Sequence, residues 1–315
     1  MQITYQFLIL LVSLLVLAKS ASVVVQNLIK IANTLRFSTF IVSFIILGVA
    51  SSTPEFFVGL NSVIDTTPQL SLGNVMGASI VLLSLLTGLT ALLSGKVIVD
   101  ATFTKKDLVI MNFVIILPIL LIFDGKLNRL DSIIMFISYA IYVFRIYKER
   151  HRLSHPLARI NHNNVLVESI TFLFFGIIGL AIASNFAVDS ARAIAEFLKV
   201  PLLLIGILIF SVGTNFPELT IALTAVRKKQ KSIVLGNVLG SATTNTLVIA
   251  LVSFLQPFEV LDLETFTVSV FFLVATVITF SFFIKSKNEI SRLEGFFLLS
   301  LYFLFVMTEI VTKLL

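Results

Sequence analysis

Apolar runs of about 20 residues recur along the whole chain, and most charged residues lie in the short gaps between them. A run of this length crosses the hydrocarbon core of a bilayer as one helix. The composition agrees, because 57% of the 315 residues are hydrophobic, 13% are charged and the mean hydropathy is +1.06. A transmembrane β-barrel would instead show alternating strands of ~10 residues, and the sequence has no such pattern. These features predict an all-α polytopic membrane protein.

The apolar runs predict ten transmembrane helices. Their expected bounds are about 4–33, 38–64, 69–94, 106–123, 132–149, 164–197, 201–226, 232–255, 264–284 and 292–312. Lys and Arg concentrate in the gaps after the odd-numbered helices, whereas the gap QPFEVLDLE after the eighth helix is acidic. Basic loops stay in the cytoplasm, so we expect both termini to be extracytoplasmic. The net charge of +6 then reflects orientation and requires no nucleic-acid partner.

Several kinds of chemistry are excluded by composition. The chain has no cysteine, which rules out disulfides and thiol chemistry. The three histidines, His151, His155 and His162, lie in one basic stretch, and we interpret residues 150–163 as a cytoplasmic linker. No His-Glu zinc motif or serine-lysine dyad is placed to act, so we expect neither enzyme activity nor a cofactor. The short loops favour a prokaryotic plasma membrane, and the sequence does not specify an oligomeric state.

The sequence contains an internal repeat at an offset of 163 residues. At this offset ASSTPEFFVGLNSV (50–63) aligns without a gap with GTNFPELTIALTAV (213–226). The equivalent residues include Pro54 and Pro217, Glu55 and Glu218, and the LGNV tetrapeptides at 72–75 and 235–238. We therefore predict a first five-helix repeat in 1–149 and a second in 164–315. Five helices per repeat is an odd number, so the repeats should have opposite orientations, with a site between them as in many secondary transporters.

Each repeat places a proline and a glutamate side by side within a membrane span. Proline removes a backbone donor, so the second and seventh helices should break near residues 48–54 and 211–217. Freed carbonyls and ionised carboxylates at this depth need a cavity or a cation. Glu55, Glu218 and the oxygen-bearing residues around them form the all-oxygen shell that Ca²⁺ or Na⁺ prefers. Those neighbours are Ser51, Ser52, Thr214, Asn215, Asn74, Asn237, Ser79, Ser241 and Asn245.

These segments resemble the two α-repeats of the sodium/calcium exchanger family, which read roughly G-T-S-x-P-E and G-N-x-x-G-S-N. The likeness covers about residues 43–88 and 206–251. Members of the family carry Ca²⁺ or several Na⁺ in alternation through a central site. The resemblance implies that Glu55 and Glu218 are the principal Ca²⁺ ligands and also serve Na⁺. It implies further ligands at Ser51, Ser52, Thr214, Asn215, Ser241 and Asn245, and backbone carbonyls at Ala50 and Gly213.

Two departures from the family pattern leave the countertransported ion open. Position 78 is alanine where the family usually has serine, and position 82 is leucine where asparagine or aspartate is usual. We expect exchange of Ca²⁺ for Na⁺ by alternating access. Because two close carboxylates can hold protons, exchange of Ca²⁺ or another cation for H⁺ is the alternative. A non-transporting membrane protein with a structural cation site is the alternative from another class.

Lys19 lies near the middle of the first predicted helix, where a charge is costly unless it pairs or reaches a headgroup. One interpretation is a tethered cation beside Glu55 or Glu218. The other is a peripheral lysine that reaches a lipid headgroup or a cavity.

Overall fold

The computed structural model describes residues 2–34, 45–98, 104–150, 163–227, 231–260 and 263–314. Within these ranges nine helices are long and apolar enough to cross a membrane, which confirms an all-α polytopic membrane protein. The second predicted helix is described only from residue 45. The three histidines lie outside the described residues.

The described residues form fourteen α-helical segments and four short strands. The helices of the first half are α1 (Gln2–Thr34), α2 (Leu47–Ser51), α3 (Thr53–Ile64), α4 (Pro68–Ile80), α5 (Thr87–Ser94), α6 (Lys105–Leu121) and α7 (Arg129–Arg150). Those of the second half are α8 (Asn163–Leu198), α9 (Leu202–Ile205), α10 (Ser211–Thr214), α11 (Phe216–Arg227), α12 (Lys231–Leu255), α13 (Leu263–Lys287) and α14 (Arg292–Leu314). The strands are β1 (Lys96–Ile98), β2 (Lys126–Leu127), β3 (Phe258–Glu259) and β4 (Glu289–Ser291). The division of the chain into two repeats stays a prediction.

The second and seventh predicted helices break where the prolines predict. Ser52 separates α2 from α3 with φ −80° and ψ 9°, and Asn215 separates α10 from α11 with φ −87° and ψ 7°. Pro54 and Pro217 each occupy the second position of the helix that follows the break, where a missing backbone donor is tolerated. The two breaks lie at equivalent positions of the 163-residue offset.

Glycines allow the broken helices to pack tightly against the LGNV helices α4 and α12. A Cβ atom on Gly73 would lie 2.3 Å from the carbonyl oxygen of Leu203, and one on Gly48 would lie 2.7 Å from the backbone of Gly240. A side chain cannot occupy these positions unless the backbones move apart. The glycines therefore hold α4 against the segment 202–214, and α12 against α2.

Two long helices, α1 and α8, pack against each other at the side of the molecule. They approach closely at Gly179, where a Cβ atom would lie 2.4 Å from the Ser20 hydroxyl. The opposite faces of both helices expose large apolar side chains, among them Leu15 and Phe175. Such faces are typical of helices that contact lipid.

Two short antiparallel ribbons connect the halves of the chain, one at each end of the spans. Strand β1 pairs with β4, and Lys96 forms a 2.8 Å ion pair with Glu289 there. Strand β2 pairs with β3, where Gln69 also donates a 3.2 Å hydrogen bond to the carbonyl of Glu259. We call the end with β1 and β4 the basic surface and the end with β2 and β3 the acidic surface. Helix α11 ends toward the basic surface, and α3 and α8 end toward the acidic surface.

Gly73→Ala is expected to lower the free energy of unfolding by ~1–3 kcal/mol or more, because the new methyl group meets a rigid backbone carbonyl. Gly59→Ala is the matched control, since its methyl group would meet only side chains, Val252 at 2.9 Å and Ser71 at 3.2 Å, and no backbone atom. Thermal unfolding of both variants in detergent measures the difference. Equal stability of the two variants would contradict the tight backbone approach.

Candidate ion-binding site

The two glutamates are buried at the start of the helices that follow the breaks. Glu55 lies in the first turn of α3 and is 1% exposed, and Glu218 lies in the first turn of α11 and is 0% exposed. They are close enough for their charges to interact. Each carboxyl group also lies near the positive end of its own helix dipole, which favours a negative charge there. The breaks therefore bring two carboxyl groups from distant parts of the sequence together inside the protein.

Hydrogen bonds link each break to the asparagine of the opposite LGNV helix. The Ser51 hydroxyl donates to Asn237 Oδ1 at 3.2 Å, and the Thr214 hydroxyl donates to Asn74 Oδ1 at 3.1 Å. Ser51 and Thr214 are equivalent positions of the offset, as are Asn74 and Asn237. All four residues are buried. Each half of the site is thus held in place by a polar residue of the other half.

Further polar contacts are made on one side of the site. The Ser51 and Ser241 hydroxyls are 2.7 Å apart, and Asn245 Nδ2 donates to the Ser79 hydroxyl at 3.2 Å. Asn215 Nδ2 donates to Glu55 Oε1 at 3.4 Å. The structure therefore places Asn215 against Glu55 and joins Ser51 to Asn237 and Ser241 across the two halves. Their role as cation ligands stays a prediction.

The carbonyls freed by the prolines differ between the halves. The Ala50 carbonyl, four residues before Pro54, accepts a 2.7 Å hydrogen bond from the Thr53 hydroxyl. The position equivalent to Thr53 in the second half is Phe216, which has no hydroxyl to offer the Gly213 carbonyl. The Ser52 hydroxyl is also engaged locally, since it donates to the Gly48 carbonyl at 3.0 Å. Both predicted backbone ligands already have a donor, because the backbone N–H of Asn215 donates to the Gly213 carbonyl.

Five side-chain oxygen atoms of the predicted ligands are buried and accept no hydrogen bond within the described residues. They are Glu55 Oε2, Glu218 Oε1, Glu218 Oε2, Asn215 Oδ1 and Asn245 Oδ1. A buried acceptor without a donor costs about 1–3 kcal/mol, and more when it carries a charge. Oxygen atoms of this kind are the ligands that a hard cation prefers.

The two departures from the family pattern lie in the protein core. Ala78 is 0% exposed and Leu82 is 1% exposed. At the offset of 163 residues, Ala78 is equivalent to Ser241, and neither Ala78 nor Leu82 has a side-chain oxygen. The polar lining is therefore richer on the Ser241 side than on the Ala78 side. Within the described residues, no group of three or more His, Cys, Asp or Glu side chains could hold a metal ion, so neutral oxygens must complete any shell.

Lys19 does not contribute to this site. Its side chain is exposed on α1, whereas both glutamates are buried. The interpretation as a tethered cation beside the glutamates is therefore wrong, and the exposure supports a lysine that reaches out of the hydrophobic layer.

A groove lies beside the second break and extends along α11 toward the basic surface. Its volume is about 450 Å³, and it lies between α1 and α11, with Pro217 and Leu47 among its lining residues. Ser22, Gln26, Thr220 and Thr224 are its polar lining residues, and the rest of the lining is apolar. A second cavity of about 520 Å³ lies beside Ser52 and Thr53 and is otherwise mostly apolar.

Two polar residues that contact each other beyond the site were not predicted from the sequence. Asn61 of α3 donates a 2.6 Å hydrogen bond to Ser184 of α8. The same hydrogen bond cannot form at the equivalent positions of the other half, because the equivalent of Ser184 is Ala21. The repeat therefore gave no signal for this contact.

A polytopic helical protein with two broken helices that meet at a buried polar site has the architecture of a secondary transporter. The chain belongs to the sodium/calcium exchanger family, since the family described as sodium/calcium exchanger protein matches residues 5–148 and 168–311. This is a family of transporters, and its members move cations across membranes.

Known proteins resemble the chain over most of its length. The sodium/calcium exchanger MaX1 of Methanosarcina acetivorans is 26% identical over 351 residues, covering 96% of this chain and 98% of that protein. An uncharacterized membrane protein of Methanocaldococcus jannaschii is 31% identical over 217 residues, covering 67% and 69% of the two chains. A solved structure of the sodium-calcium exchanger NCX_Mj superimposes with a TM-score of 0.68 at 25% identity, covering 96% of this chain and 97% of that one.

Thr214→Val is expected to lower the free energy of unfolding by about 1–3 kcal/mol, because Asn74 Oδ1 loses its hydrogen-bond donor in a buried place. Thr220→Val removes a hydroxyl from the exposed wall of the groove and is the matched control. Thermal unfolding in detergent without added Ca²⁺ compares the two. A loss no larger for Thr214→Val than for Thr220→Val would contradict the cross-half hydrogen bond.

Proposed function

We propose that the protein exchanges Ca²⁺ for Na⁺ across a membrane by alternating access, with the ions bound at Glu55 and Glu218. The observation that supports this most is the set of five buried oxygen atoms without a donor, three of them on the two carboxyl groups. An arrangement of this kind is unfavourable in the protein alone and favourable around a cation.

The chemistry of the site fits Ca²⁺. This ion takes six to eight oxygen ligands from carboxylates, amides, hydroxyls and carbonyls. Glu55 and Glu218 together carry two negative charges, which balance one Ca²⁺. Amide oxygens of Asn215 and Asn245 and the Gly213 carbonyl supply neutral ligands. Soft metals are disfavoured, because the chain has no cysteine.

Exchange follows from competition for the same two carboxylates. When Ca²⁺ leaves, the buried negative charges need another partner, and Na⁺ ions entering from the same side supply it. Because the two kinds of ion use shared oxygen atoms, binding of one kind expels the other. The site therefore holds either Ca²⁺ or Na⁺ at one time, so the transport of one ion is coupled to the transport of the other.

The groove between α1 and α11 supplies one of the two access routes. It extends from Pro217, the chain neighbour of Glu218, toward the basic surface, which the positive-inside rule assigns to the cytoplasm of a prokaryotic plasma membrane. Both termini are then extracytoplasmic. In the proposed cycle α1 and α8 move together against the core of α2–α5 and α9–α12, which closes this groove and opens a route to the other side.

Exchange of Ca²⁺ for H⁺ is a second candidate, supported by the lining of the first half. Ala78 and Leu82 are buried and supply no side-chain oxygen for additional Na⁺. Two neighbouring carboxylates can instead take up one or two protons when Ca²⁺ leaves. The same site would then operate with a different counter-ion.

Radiolabelled Ca²⁺ uptake into proteoliposomes tests the proposal. An outward Na⁺ gradient is expected to drive uptake, and Glu218→Gln is expected to abolish it. The substitution leaves a buried carboxamide where a charge balanced the ion, a loss of ~3–5 kcal/mol or roughly 10²- to 10⁴-fold in affinity. Glu168→Gln makes the same change at an exposed position of α8 and should leave uptake unchanged.

The other outcomes separate the alternatives. Uptake driven by an outward H⁺ gradient and not by Na⁺ would assign the protein as a Ca²⁺/H⁺ exchanger. Ca²⁺-dependent thermal stabilisation without uptake under either gradient would identify a structural cation site instead of a transporter. A ligand at 100 times its Kd stabilises the folded state by about 2.7 kcal/mol, which a detergent melting experiment resolves. If the protein shows no Ca²⁺ uptake and no Ca²⁺-dependent stabilisation, ion binding at the two glutamates is refuted.

A further inference from the structure

The two access routes differ in this structure, although they lie at equivalent positions of the repeat. The groove runs between α1 and α11, and the equivalent interface in the other half lies between α8 and α3. Thr224 is exposed in the groove, whereas its equivalent Asn61 is 8% exposed. Ile221 lines the groove, whereas its equivalent Val58 is 0% exposed. The α3–α8 interface is therefore tightly packed, whereas the α1–α11 interface leaves a groove that faces the basic surface.

A chain of hydrogen bonds holds the α3–α8 interface together. Asn61 Nδ2 donates to the Ser184 hydroxyl at 2.6 Å, and Ser184 donates in turn to the Ala181 carbonyl at 3.1 Å. Asn61 is also fixed to its own helix by a 3.1 Å hydrogen bond to the Phe57 carbonyl. Both side chains are buried, so no water competes for these bonds, and each side chain would lose a partner if the helices moved apart.

The charged groups nearby are less suited to close this interface. Asp65 at the end of α3 feels the charges of Asp189 and Arg192 on α8, which act in opposite directions. Arg192 forms its 3.3 Å ion pair with Glu196, and both side chains are more than half exposed. Exposed ion pairs contribute little. The buried Asn61–Ser184 contact is the stronger restraint on α8.

We propose that the Asn61–Ser184 hydrogen bond is the latch that closes the ion route toward the acidic surface, and that it breaks whenever this route opens. The inference rests on the proposed function, because it assigns these residues a step in alternating access. They are positioning residues, since neither touches the site. At the equivalent interface the corresponding residues are Ala21 and Thr224. The alanine side chain cannot form a hydrogen bond, so the latch exists on one side only.

Cysteine labelling tests the latch in a chain that has no native cysteine. Val58→Cys reports opening toward the acidic surface, and Ile221→Cys reports opening toward the basic surface. A membrane-impermeant maleimide is expected to label Ile221→Cys quickly and Val58→Cys slowly. Adding Ser184→Ala should raise the labelling rate of Val58→Cys about tenfold, which corresponds to a 1.4 kcal/mol shift between the two states. Asn61→Ala should have the same effect.

Two controls make the result specific. Ser190→Ala makes the same change at another buried serine of α8 and should leave the labelling rate unchanged. The double variant Asn61→Ala/Ser184→Ala should label no faster than either single variant, because both remove the same bond. Unchanged labelling in both Ser184→Ala and Asn61→Ala, or additive effects in the double variant, would overturn the latch.

The labelling result is independent of transport. If the wild-type protein shows no Ca²⁺ uptake under either gradient but Ser184→Ala accelerates labelling, the proposed function fails and the latch stands. If uptake is present and labelling does not respond, the latch fails and the proposed function stands.

Discussion

The structure depends on one constraint, namely that lipid offers no hydrogen bonds to a broken helix. Pro54 and Pro217 each deprive a carbonyl of its backbone donor in the middle of a span. Such groups persist only where protein surrounds them, so the breaks must lie at the centre of the molecule. Glycines at the helix contacts then allow the close approach, and the Ser51–Asn237 and Thr214–Asn74 bonds fix it. The location of the site follows from the prolines.

The two halves differ in how many donors they supply to the buried oxygen atoms at their breaks. In the first half Thr53 satisfies the Ala50 carbonyl, and Asn215 donates to Glu55. In the second half Phe216 replaces Thr53, and both oxygens of Glu218 lack a donor within the described residues. Within the described part of the chain, Glu218 therefore has two buried carboxyl oxygens without a donor, whereas Glu55 has one.

Local signals predicted most of the fold and the composition of the site. Apolar runs located the helices, and each proline located a break to within a few residues. The repeat offset identified Ser51, Asn237, Thr214 and Asn74 as neighbours of the glutamates, but not their pairing, which depends on how the helices cross. The Asn61–Ser184 contact could not be predicted from the sequence either. The sequence shows that Ser184 and its equivalent Ala21 differ, but which of the two interfaces is packed depends on how the helices cross.

The two ribbons have a consequence for biosynthesis. Strand β1 can pair only after β4 has been synthesised, almost two hundred residues later, and β2 can pair only after β3 has been synthesised. At ~5–20 residues per second, β1 is without its partner for roughly ten to forty seconds after synthesis. The first half is therefore synthesised well before the strands and polar residues of the second half that it contacts. The two ribbons and the hydrogen bonds between the halves form only after the second half has been made.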